Sequence, residues 1–123
     1  MNRSGTILVV EDESALLRLN TKLLQQHGYQ TYAAQNGKKA LELLEKKSVD
    51  LVLSDVIMPT MNGIELANIV QQKYPFLKKQ LISGFSDDTG NSRMDEKLRQ
   101  CLLQKPVTTR ALLERVNELL NSE

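Results

Sequence analysis

The stretch LVLSDVIMPTMNG, residues 51–63, decides how the rest of the chain is read. Leu51 to Ser54 form a run too short for a helix and almost entirely apolar, the mark of a strand buried on both faces of a sheet. The run stops at Asp55. Met58-Pro59 and Gly63 then break the pattern before a helical period begins. An aspartate in that place is either a turn and capping residue or a reactive carboxylate delivered to the edge of a sheet. The two readings separate only when the neighbouring segments are laid beside it.

Upstream, Ile7 to Val10 read as a second buried strand. Asp12 and Ser14 are candidate N-caps for a helix that carries Leu16, Leu19 and Leu23, with Leu17 and Leu24 beside them, and ends at Gly28. Thr31 to Ala34 read as a weaker strand, and Asn36-Gly37 turns the chain into a helix with Leu41, Leu44 and the pair Lys46-Lys47. Downstream, Leu66, Ile69 and Val70 mark a helix closed by Pro75. Gln80 to Ile82 and Cys101 to Leu103 complete a set of five strands. The last helix starts near Thr108 and aligns Leu112, Val116, Leu119 and Leu120 on one face. Between strands four and five, DDTGNSR is poor helix material, so a short or irregular helix is expected there, over about residues 94–100. Strands alternating with helices predict an α/β fold with a parallel sheet, right-handed crossovers and helices on both faces.

The chain of 123 residues, 41% hydrophobic and 25% charged, is long enough for one domain with its own core. We expect one domain over residues 1–123, with its core at about 5–121. A formal net charge of +1 gives no electrostatic case for direct contact with nucleic acid or membrane. The single cysteine, Cys101, excludes an internal disulfide and suits a reducing cytoplasm, the expected location. No apolar run approaches the roughly 18 residues of a membrane span. The lone histidine, His27, is expected to be structural, Cys101 to be a packing residue, and Lys38-Lys39, Lys46-Lys47 and Lys78-Lys79 to be solvated.

In sheets of this kind ligands bind beyond the carboxyl ends of the strands, where strand order reverses. There the sequence sets Glu11 and Asp12 after strand one, Asp55 after strand three, Ser83 after strand four and Lys105 after strand five. Clustered carboxylates repel and call for a cation. An all-oxygen set favours a hard ion such as Mg2+, for which Mn2+ could substitute; Mg2+ takes roughly one or two protein carboxylates. One carboxylate can then act as nucleophile toward a phosphoryl group, with Ser83 and Lys105 holding its oxygens.

With ILVVEDE, DLVLSDVIMPTMNG, LISG and LLQKP in that order, the chain resembles a response regulator receiver domain, the phosphoacceptor module of two-component signalling. SGFSD followed by LLQKP is similar to the receivers of hybrid sensor histidine kinases. The resemblance implies a flavodoxin-like doubly wound sheet of order 2-1-3-4-5. It further implies that Asp55 is the phosphoacceptor, that Asp12, Asp55 and the Ile57 carbonyl ligate Mg2+, and that Glu11 assists through a water. Ser83 would bind a phosphoryl oxygen and Lys105 pair with it. The donor would be a histidine kinase or histidine phosphotransfer domain and the output a downstream protein, with a weak homodimer compatible. Such a domain catalyses its own phosphoryl transfer and slow autodephosphorylation, yet is mainly a signalling module.

Three departures modify these expectations. Glu11 stands where relatives commonly have aspartate, and its longer side chain still reaches a metal-bound water. Leu102 stands where many have Tyr or Phe, which puts an aromatic switch coupled to Ser83 in doubt and points to output through residues 86–100. Ile57 and Phe85, flanking the phosphoryl position in relatives, cannot orient an attacking water, so slow self-dephosphorylation is expected. The alternative reading is a pseudo-receiver, a protein-binding scaffold without phosphorylation. A phosphohydrolase would want a second carboxylate just past Asp55, which VIMP lacks, and a flavin site would not tolerate EDE after strand one.

Overall fold

A computed structural model describes residues 5–55, 61–83, 102–104 and 108–121, with Ser83 and Leu102–Gln104 as backbone only. In chain order these residues form β1 (Thr6–Val10), α1 (Ser14–Gln26), β2 (Gln30–Ala34), α2 (Gly37–Lys46), β3 (Leu51–Asp55), α3 (Gly63–Lys73), β4 (Lys78–Ser83), β5 (Leu102–Gln104) and α4 (Thr109–Asn121). The strands make one sheet in the order β2-β1-β3-β4-β5, every pair parallel. This is the doubly wound, flavodoxin-like arrangement, and its order reverses between β1 and β3.

The unbroken apolar runs of β1 and β3 are explained by two cores, one on each face. Ile7, Val9, Leu51, Leu53 and Ile82 pack with Leu17 and Leu24 of α1 and with Leu112, Leu113 and Val116 of α4. Leu8, Val10 and Val52 pack on the opposite face with Ala40 and Leu44 of α2 and Leu66 and Val70 of α3. Successive strand residues point to opposite faces, so a central strand between two helical layers has no position left for a solvated side chain.

Several local expectations are corrected. Neither Asp12 nor Ser14 caps α1: the N-cap is Glu13, extended at φ −85°, ψ 112°, with no side-chain cap of its own. The core-facing stripe of α1 is Leu17 and Leu24, while Leu19 is 61% exposed. Lys78 and Lys79 are not a solvated pair but open β4, half-buried, and the Lys78 ammonium donates to the Leu119 carbonyl. That bond serves one of the orphaned carbonyls at the carboxyl end of α4 with a cation, as the helix dipole favours. β5 is described over Leu102–Gln104; Cys101, the expected first residue of that strand, lies outside the described residues, as does the helix expected over residues 94–100. Asn36, expected only to turn the chain, also caps α2, its side chain accepting from the Lys39 N–H at 2.8 Å. Thr108 does the same for Ala111 at the start of α4.

Candidate functional site

Parallel registration carries the carboxylates to one edge. Val10 pairs with Ser54, so Glu11, the next residue, stands level with Asp55 at the end of β3. The Glu11 N–H donates to the Ala34 carbonyl at 3.0 Å, which extends the β1–β2 ladder by one residue and fixes the main chain from which its side chain leaves. Asp55 is itself the last residue of β3, in register with Ile82 of β4, and not the first residue of a loop. The Asp55 carboxylate therefore leaves from a strand end held on the sheet.

Glu11 and Asp55 are 5% and 9% exposed, whereas Asp12 is open to solvent. Carboxylate oxygens of Glu11, Asp12 and Asp55 all lie within 4.8 Å of one another. At that separation two buried charges such as Glu11 and Asp55 repel by roughly 3 kcal/mol at an effective dielectric of 20. Among the described residues the cluster offers hard oxygen donors, two of them sheltered and one wet. The set fits a partly hydrated divalent cation that keeps waters on its open side. The Glu11 carboxylate also accepts the Glu13 N–H at 3.3 Å. It thus supplies the side-chain acceptor near the start of α1 that was expected of Asp12 or Ser14.

Of the other expected residues, Ser83 and Leu102 are described by their backbone. Ser83 ends β4, its backbone paired with Gln104, and Leu102 is paired with Leu81. β5 closes at Gln104, one residue before Lys105. Lys105, Ile57 and Phe85 lie outside the described residues. The structure thus unites Glu11, Asp12 and Asp55 and aligns the Ser83 backbone with the sheet edge they occupy. His27 is the C-cap residue of α1, exposed, its Nδ1 3.0 Å from the Leu23 carbonyl.

Two features were missed in the sequence. Asn62 and Glu65 form a capping box at the start of α3: the Asn62 side chain accepts from the Glu65 N–H at 2.8 Å and the Glu65 carboxylate accepts from the Asn62 N–H at 3.1 Å. The signal was there, a polar residue followed three positions later by Glu before an apolar run. The other is the buried hydroxyl of Ser54, which bonds to the main chain of Asp55. A large open cavity of about 1450 Å³ lies at the opposite, amino-terminal edge, lined by Gly5, Gln30, Asp50 and Lys78 among others, and has no part in the carboxylate cluster.

Comparison with known proteins agrees with this geometry. The family model for the response regulator receiver domain matches residues 7–117. The chain is 33% identical over 125 residues to the sensor kinase CckA of Brucella abortus (strain 2308), a match covering all of this chain and 13% of CckA. It is 34% identical over 114 residues to the response regulator receiver protein CpdR of the same organism, covering 93% of this chain and 95% of CpdR. The crystal structure of the response regulator protein TrrA from Thermotoga maritima, in complex with Mg2+-BeF, is similar with a TM-score of 0.81 at 31% identity, covering 94% of this chain and 99% of TrrA.

Proposed function

The chain belongs to the response regulator receiver domain family, and from that premise we propose that Asp55 is its phosphoacceptor. One observation carries the reading: a carboxylate held at the end of the central strand, with those of Glu11 and Asp12 within 4.8 Å. A carboxylate oxygen of Asp55 attacks the phosphorus of a phosphohistidine on a histidine kinase or phosphotransfer domain. The P–N bond breaks, its electron pair stays on the imidazole nitrogen, and the products are an aspartyl phosphate and a free histidine. Ser83 donates its hydroxyl to a phosphoryl oxygen, and the Lys105 ammonium neutralises another.

Asp12, Asp55 and the Ile57 carbonyl would hold Mg2+ directly and Glu11 through a water; Mn2+ is an acceptable substitute. When bound, the ion supplies positive charge against the clustered carboxylates and the incoming phosphoryl group. The Mg2+-BeF group of TrrA, a metal with a phosphoryl-like ligand, supports carrying this chemistry to a chain of the same fold. We take residues 1–123 as a single domain whose phosphorylation is read by a downstream protein, either as a separate protein or as part of a sensor kinase. The CckA match supports the second context and the CpdR match the first.

Intact-mass measurement after incubation with a small acyl phosphate and Mg2+ tests the proposal. One phosphoryl adduct is expected on the wild type and none on Asp55→Asn. Absence of an adduct with both the small donor and a phosphorylated histidine protein overturns it in favour of a scaffold.

A further inference from the structure

Apart from Asp55, Ser54 is the only polar residue of β3, and it is 1% exposed. Its register neighbours are Val10 on β1 and Leu81 on β4, 1% and 2% exposed. Residues in register across a sheet project to the same face, so the hydroxyl sits between two hydrocarbon side chains. A hydroxyl buried in such company is unfavourable unless it is bonded, and alanine or valine would serve the packing without that penalty. The bond it makes is to the next residue: Ser54 Oγ donates to the main-chain carbonyl of Asp55 at 3.0 Å.

We propose that Ser54 is a positioning residue for Asp55, holding the carbonyl so that the carboxylate keeps its bearing on Glu11 and Asp12. The inference rests on the reading of Asp55 as phosphoacceptor and goes beyond it. Orientation of the Asp55 carbonyl fixes ψ at the last residue of β3, the point at which the chain leaves the sheet. Side-chain rotamers depend on φ and ψ, so a donor anchored in the core and bonded to that carbonyl narrows the arc through which the carboxylate swings. The restraint passes to the carboxylate through the Asp55 Cα. Small losses of alignment at a reacting atom have large effects on rate, which makes this bond worth more to phosphoryl transfer than to folding.

The isosteric pair Ser54→Thr and Ser54→Val separates the hydroxyl from its volume. Phosphorylation rates of the full chain by a small acyl phosphate, at saturating Mg2+, are compared with donor half-saturation, Mg2+ affinity by calorimetry and thermal midpoint. Ser54→Thr is expected within about twofold of wild type, and Ser54→Val roughly tenfold slower at saturating donor, with half-saturation and Mg2+ affinity unchanged. Ser54→Ala, which adds no volume, is expected to match Ser54→Val and serves if the larger side chains impair folding. Equal rates for Ser54→Thr and Ser54→Val, or a wild-type rate for Ser54→Ala, overturn the inference while leaving Asp55 in place. A wild type that accepts no phosphoryl group overturns both.

Discussion

Glu11 shows how one carboxylate serves two needs. It repels Asp55 across a distance below 4.8 Å and accepts the Glu13 N–H near the start of α1. Glu11→Gln removes the charge and keeps an acceptor oxygen, whereas Glu11→Ala removes both. In metal-free buffer Glu11→Gln is expected to melt at or above the wild-type temperature and Glu11→Ala about 1 kcal/mol below Glu11→Gln. Both should bind Mg2+ more weakly in a calorimetric titration. Gly28 adopts φ 94°, a conformation that L side chains rarely take, just after α1 ends. Gly28→Ala should cost about 1 kcal/mol in denaturant unfolding. Ile57 and Phe85, which lie outside the described residues and which the family resemblance sets beside the phosphoryl position, have only hydrocarbon side chains, with no polar atom to orient water for hydrolysis. The aspartyl phosphate is therefore expected to persist for minutes in Mg2+ buffer, and loss of the adduct within seconds would refute this.

Among the elements, α4 and α1 show where patterning informs and where it misleads. The apolar face of α4 was legible because Leu112 and Val116 fall at helical spacing, and both are buried. What ties α4 to β4 was not. Gln80, 0% exposed, accepts from the Arg115 Nε at 2.9 Å and donates to the Leu81 carbonyl at 2.9 Å, while Lys78 serves the Leu119 carbonyl. Two lysines followed by glutamine suggest solvent. A strand beneath a helix can nevertheless use such side chains to satisfy buried amides and terminal carbonyls, and sequence alone gives no sign of which helix lies above. Removing the guanidinium donor with Arg115→Ala should destabilise by roughly 1–2 kcal/mol. In α1 the leucines are numerous enough to fit more than one helical face, and only the docking against Ile7 and Val9 selects Leu17 and Leu24 over Leu19.

For the whole molecule, strand number, parallel pairing and the order 2-1-3-4-5 were legible, the first two from alternating buried runs and the third from the family resemblance. The meeting of Glu11, Asp12 and Asp55 followed from that topology, since residues after strands one and three of a doubly wound sheet share an edge. The Ser54 bond escaped notice because a serine in a strand carries no pattern until its register neighbours are known. On the proposed reading, a cation that joins these carboxylates adds its binding free energy to the stability of the fold. Mg2+ at ten times its dissociation constant should raise the unfolding free energy by roughly 1.4 kcal/mol, and Asp12→Asn should abolish most of that gain. The identity of the reacting atom is the central claim. Borohydride reduction of the phosphorylated chain, followed by peptide mapping, tests it most directly, because an acyl phosphate is reduced to the alcohol at the carbon that bore it. The account predicts homoserine at position 55 alone, formed only after treatment with phosphodonor and Mg2+; reduction at Glu11 or Asp12, or a phosphorylated chain with position 55 unreduced, would contradict it.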